Sequence, residues 1–112
     1  MGGIAQGLGG ALYEKVEFDA DGNLVNANFV DFLMPYATEV PKVEIRHLET
    51  PSPLNPLGIK GAGEGGTISC IGAILSAVEN ALEPFGVKIA EAPITPMRIV
   101  ALLGEHAKGR TK

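Results

Sequence analysis

The chain has 112 residues and a formal charge of −4, and its basic residues are scattered until the last few positions, so it offers no basic stripe for a phosphate backbone and nucleic acid is not an expected partner. A single cysteine, Cys70, excludes an internal disulfide, a cysteine-based zinc site and an iron–sulfur cluster held by this chain alone. Apolar residues make up 46 % of the chain but aromatics only 5 %, with no Trp, so any core must be aliphatic and built on small residues. At this length one domain, or a piece of a larger one, is expected. No apolar run of the sequence matches a membrane span and the start lacks the features of a signal peptide, so the chain reads as soluble and cytoplasmic, with no membrane partner.

The first expected element is a helix over residues 2–14, where Ile4, Leu8, Ala11 and Leu12 recur at helical spacing while Gly3, Gly7 and Gly10 line another side. Each interior glycine costs such a helix roughly 1 kcal/mol relative to Ala, so it forms only when packed against something. Two alternating runs, 15–18 and 23–28, flank Asp19-Ala20-Asp21-Gly22 and predict a hairpin turning at Asp-Gly. Residues 29–36 read as a strand or irregular structure ending at Pro35, and 38–42 as a loop. The stretch 43–49 alternates Val, Ile and Leu with Glu, Arg and His, which suits a half-exposed strand with His47 in line with Val43 and Ile45 as a half-buried histidine. Pro51, Pro53 and Pro56 make the next segment an extended connector.

A helix over about 66–83 carries Ile68, Ile71, Leu75, Val78 and Leu82 on one stripe, and Cys70, Ile74, Ala77 and Ala81 on a second, which implies burial on most sides. In that setting Cys70 reads as a buried small hydrophobe. Pro84 and Gly86 stop the helix, 87–90 suits a short strand, and Thr95-Pro96 has the cap signature of a last helix through Leu103. The expected architecture is α+β: two main helices packed on a small mixed sheet over residues 1–103, followed by a disordered polar tail at 104–112.

The stretch of greatest chemical interest is GIKGAGEGGT at 58–67, which sets one carboxylate, Glu64, among five glycines just before the long helix. Gly61-Ala62-Gly63-Glu64-Gly65-Gly66 satisfies the G-x-G-x-x-G pattern of dinucleotide-binding loops, with Glu91 as the ribose acid, but the fingerprint requires a buried strand running into the first glycine and three prolines precede it here. A purely structural reading places Glu64 at a helix N-terminus, where the macrodipole favours a carboxylate, and leaves the glycines unexplained. A third reading makes Glu64 a general base beside a large planar ligand held by backbone groups.

The segments GGIAQGLGGALYE at 2–14 and LGIKGAGEGGTI at 57–68, with DFLMP at 31–35 and ETPSP at 49–53 in register between them, resemble the C-terminal part of the molybdenum-binding large subunit of the xanthine oxidase family. The nearest flavour is the aerobic carbon monoxide dehydrogenase large-chain branch. The resemblance implies a hydroxylase built around a molybdopterin cytosine dinucleotide, which oxidises an aldehyde, a heterocycle or carbon monoxide with water as the oxygen source. Glu64 matches the family's catalytic base. Gln6 matches a glutamine near the cofactor, Gly61 and Gly63 would bring backbone N–H groups to it, and Lys60 matches a lysine that serves equally well in a structural ion pair. No metal ligand is expected on this chain.

The resemblance also implies that most cofactor contacts and the substrate pocket lie ahead of the region matched here, while the iron–sulfur clusters and FAD sit on partner chains. The chain alone is therefore expected to bind no cofactor and to be catalytically silent, completed by the remainder of the large subunit, an iron–sulfur subunit and a flavin subunit. The alternative is a non-catalytic module or remnant that self-associates into a homo-oligomer.

Overall fold

A computed structural model describes residues 1–109, with side chains through Glu105; residues 110–112, the end of the expected tail, lie outside the described residues. The elements are α1 (Gly2–Leu12), α2 (Ile68–Leu82), a single 3₁₀ turn at Glu83–Phe85 and α3 (Pro96–Gly109). α3 therefore runs past Leu103, where the last helix was expected to end.

The glycines of α1 find their reason in α2. A Cβ built at Gly7 would stand 2.6 Å from the Cys70 Cβ, one at Gly3 would stand 3.0 Å from the Gly66 carbonyl carbon, and one at Gly10 would stand 3.2 Å from Ile71 Cδ1. Gly3, Gly7 and Gly10 recur at helical spacing, so one bare stripe of α1 lies directly on the start of α2. The Cys70 thiol, half-buried, reaches across this crossing to the Ile4 carbonyl at 3.5 Å. Packing thus supplies what the helix propensity of α1 lacks.

α2 ends as its sequence dictates. Pro84 interrupts it and Gly86 takes a left-handed φ of 74° that a side chain would resist. Glu79 then ties the following segment back onto the helix: its carboxylate accepts the Ile89 N–H at 2.7 Å and faces Lys88 Nζ at 3.3 Å. From there the chain reaches the small core, Ala11, Val87 and Ile94, where the Ile94 N–H donates to the Ala11 carbonyl at 2.7 Å. Thr95 caps α3 through its hydroxyl, which accepts the Arg98 N–H at 3.2 Å.

The expected α+β sheet is not formed. Among the described residues there is no strand, only one antiparallel bridge between Phe18 and Leu24. The Asp-Gly reversal itself is present, with Gly22 at φ 83° and the Asp19 carboxylate accepting the Asp21 and Asn23 N–H groups at 2.9 and 2.8 Å. What stops the ladder is Asn26, which is buried: its side chain accepts the Glu17 N–H at 3.0 Å and donates to the Lys15 carbonyl at 2.6 Å. An amide side chain occupies the backbone groups that a paired strand would have used. Asn28 does the same at residues 29–36, closing a turn by accepting the Val30 N–H at 2.8 Å. The stretches 43–49 and 87–90 belong to no ladder, and His47 is exposed rather than half-buried.

The continuous helical stretch Ile68–Phe85, at 18 residues and mean hydropathy 1.2, is long and apolar enough to cross a membrane by length and composition, where the sequence reading found no such run. Its use of Glu79 to hold residue 89, and the seating of α1 along it, are those of a packing helix.

The two kinds of helical glycine predict opposite responses. Gly7→Ala is expected to destabilise the chain by about 1–3 kcal/mol despite the better helix former, because its Cβ meets Cys70, whereas Gly72→Ala, with nothing within 4 Å, is expected to stabilise it by about 0.5–1 kcal/mol. Urea unfolding of the two variants measures both. The Ile89 N–H foremost, and Lys88 beside it, hold the Glu79 carboxyl below its ordinary 4.5. Its contribution to stability is therefore present above pH 4.5 and lost as pH falls through the lowered folded value. Glu79→Gln is expected to lower the urea midpoint at neutral pH, with the difference from the parent chain shrinking as the solution is acidified.

Candidate functional site

The segment leading to Glu64 is set by a turn ahead of it. Gly58 adopts φ 65°, and a Cβ there would stand 2.7 Å from Pro51 Cβ, so only glycine fits. The Ser52 N–H donates to the Gly58 carbonyl at 3.1 Å. Asn55 staples the next residue from both sides, accepting the Ile59 N–H at 2.8 Å and donating to the Ile59 carbonyl at 2.9 Å. The sequence reading did not single out Asn55, although an Asn-Pro pair two residues before a Leu-Gly is a turn signal. Lys60 then anchors the loop to the proline connector by donating to the Thr50 hydroxyl at 3.0 Å, a hydrogen bond rather than an ion pair.

Beyond this anchor the loop is open. None of the backbone N–H groups of residues 60–66 donates to another group among the described residues. A Cβ at Gly61, Gly63 or Gly65 would meet nothing within 4 Å. Neither Gly61 nor Gly63 has a positive φ, so their backbone conformation does not require glycine, and the side a Cβ would occupy is open. Glu64 uses its carbonyl to start α2, accepting the Thr67 and Ile68 N–H groups at 2.9 and 3.2 Å. Its carboxylate is exposed and makes no hydrogen bond or ion pair among the described residues.

Gln6 is exposed on α1, one residue from the Gly7 contact. Gly3 against Gly66, with 3.6 Å between a Cβ at Gly66 and the Gly3 Cα, brings the start of α1 to the end of the Glu64 loop. The Gly3–Gly66 approach thus joins the helix that carries Gln6 to the loop that carries Gly61, Gly63 and Glu64, with no bond between the Gln6 and Glu64 side chains among the described residues. The dinucleotide pattern is not supported in its context: residues 51–60 contain turns and no strand, and Glu91 is engaged with Arg98 Nε at 2.5 Å.

The best-formed hollows among the described residues lie away from the Glu64 loop. One of about 690 Å³ is lined by Glu14, Lys15, Glu91, Pro93 and Arg98, another of about 330 Å³ by Leu75, Glu79 and Lys88, and neither includes a residue of the Glu64 loop. Glu64 stands on an open surface. Among the described residues no three His, Cys, Asp or Glu side chains come together as a metal cage. The chemistry available is that of a free carboxylate beside a row of unsatisfied N–H donors at a helix start, a surface suited to oxygen-rich ligands.

Residues 1–41 match a family profile described as a molybdopterin cofactor-binding domain. The chain is similar to the nicotine 6-hydroxylase large subunit of Paenarthrobacter nicotinovorans, 46% identical over 99 residues that make up 88% of this chain and 12% of the relative. It is 36% identical over 105 residues to the carbon monoxide dehydrogenase large chain of Hydrogenophaga pseudoflava, covering 94% of this chain and 13% of that one. Its backbone follows the crystal structure of quinoline 2-oxidoreductase from Pseudomonas putida 86 with a TM-score of 0.88 and 49% identity, over 93% of this chain and 13% of that one. The chain thus spans about an eighth of the length of the relatives it matches. With the glycine crossing and the open Glu64 loop lying inside the matched region, the chain belongs to the family of molybdenum-binding large subunits of the molybdenum hydroxylases, as a segment of such a subunit.

Proposed function

We propose that this chain supplies the catalytic carboxylate and part of the cofactor cradle of a molybdenum hydroxylase, and that it acts only when a larger chain completes the site. The observation that carries this reading is the Glu64 loop, with its free carboxylate and the undonated N–H groups of residues 60–66 around it. These groups fit a molybdopterin cofactor in its cytosine dinucleotide form: the N–H row matches its phosphate and pterin oxygens, and the open side of Gly61, Gly63 and Gly65 leaves room for close approach. When bound, that cofactor supplies the redox-active metal that accepts the two electrons of the hydroxylation.

Within such a site the Glu64 carboxylate takes the proton of the attacking hydroxyl, on an oxygen that no neighbouring side chain occupies. The amide of Gln6 donates to or accepts from cofactor oxygens, and Gly61 and Gly63 hold it through their N–H groups. Substrates of the class are an aldehyde, an electron-poor heterocycle or carbon monoxide. Electrons leave through iron–sulfur and flavin groups on partner subunits, and the assembly is cytoplasmic.

The surface supports the reading that a partner completes the chain. The chain exposes 8773 Å², against roughly 5,900 Å² for a folded monomer of its mass. Its radius of gyration is 18.4 Å, where about 13 Å is usual at this length. Phe29, Val30, Leu48, Leu54 and Leu57 are each at least 80% exposed. An excess of about 3,000 Å² is on the scale of an obligate interface.

Elemental analysis and mass spectrometry of the protein drawn gently from its native cells test the assembly: molybdenum with a larger co-eluting chain is expected, and a metal-free homo-oligomer would instead favour a self-associating module. In the assembled enzyme Glu64→Gln is expected to lower turnover on the order of a hundredfold or more with molybdenum content unchanged, and activity within a factor of two of the parent would remove Glu64 from its role. Gly63→Val is expected to leave the unfolding free energy of the isolated chain within about 0.5 kcal/mol, since nothing stands near its Cβ, while lowering the molybdenum content of the assembly.

A further inference from the structure

Pro41 and Pro51 bound a stretch of sequence, residues 42–50, in which every residue keeps its N–H. Residues 41–52 run without a turn or a bend. Glu44 and Arg46 pair at 2.8 Å, two residues apart, as same-side neighbours do on an extended backbone. Val43 and Ile45 stand on the alternate positions. Yet no N–H and no carbonyl of residues 42–50 is paired with another group among the described residues. The stretch has the pattern, the straightness and the length of a strand, about 30 Å at 3.3 Å per residue, without the ladder.

We infer that residues 42–50 are a strand that pairs, backbone to backbone, with an exposed strand edge on the larger molybdenum-binding chain; the inference rests on the proposed function for the identity of that chain. Extended segments add to open sheet edges through main-chain hydrogen bonds, with alternate side chains seated on the faces. A second copy of this chain is the poorer occupant. A ribbon of two such strands is marginal in water and covers only edges, leaving Leu48 at 96% and Leu54 at 92% exposure uncovered. A sheet already formed on a larger body satisfies the backbone and covers these side chains together.

The test is amide hydrogen exchange of the isolated chain and of its assembly with the co-purifying molybdenum-containing chain. In the isolated chain the amides of residues 43–49 are expected to exchange freely. In the assembly those of at least one parity are expected to slow on the order of a hundredfold or more. Of the neighbouring variants Glu44→Pro and Ile45→Pro, at least one removes a ladder donor and is expected to weaken assembly about tenfold or more, with the circular dichroism of the isolated chain unchanged.

A complex that forms while these amides stay as fast as in the isolated chain overturns the strand and leaves the Glu64 reading standing. Protection in a homodimer without the larger chain overturns the occupant. Absence of any assembly overturns the proposed function, and this inference with it.

Discussion

The contact on which the structure depends is the near-touching of two backbones where α1 crosses the start of α2. Gly3, Gly7 and Gly10 face Gly66, Cys70 and Ile71 with no room for a side chain between them. Close packing of this kind is what allows a glycine-rich segment to be helical at all, since its intrinsic propensity is poor. The same contact fixes the site. Gly66 is both a partner of Gly3 and the second residue after Glu64, so the crossing that stabilises α1 also sets where the carboxylate loop stands relative to Gln6.

A second constraint is the shortage of core. Ala11, Val87 and Ile94 are the buried apolar residues, and α2 has no residue that is fully buried. Much of the apolar surface whose burial could stabilise the chain therefore stays uncovered. The apolar stripes of α2, the exposed aromatics near residue 30 and the leucines of the proline connector are surfaces that the proposed larger chain would cover. The Glu64 loop is likewise open, with its carboxylate exposed to water.

Polar side chains acting in place of backbone recur through the irregular half of the molecule. Asn26 takes the place of a strand, Asn28 closes a turn, Asn55 clamps Ile59 and Glu79 holds Ile89. Each satisfies backbone groups locally that a sheet would otherwise satisfy at long range. Among the described residues the longest runs not treated this way are the N–H groups of residues 60–66 and the backbone of residues 42–50.

The segment that carries the candidate site was legible in the sequence, because its signals are local. Five glycines around one carboxylate, placed just before a long apolar pattern, identify the Glu64 loop, and glycines at helical spacing mark a close-packed face on α1. The ends of α2 and the start of α3 follow from Pro84, Gly86 and Thr95-Pro96 for the same reason, that capping and φ restriction act within a few residues. The sheet was not legible correctly. Alternation in residues 15–18, 23–28 and 43–49 records which side chains suit a strand, but a ladder needs a second backbone at the right distance, and that is a property of the tertiary structure. Asn26 and the lack of a backbone partner for residues 42–50 among the described residues decided the matter. The sequence by itself determined the three helices, the stop of α2, the start of α3 and the residue types of the carboxylate loop, since these rest on neighbours in the chain. Only the tertiary structure decided that α1 meets α2 through bare glycines, that Glu64 stands uncovered and that no sheet closes, since these rest on which surfaces find a partner.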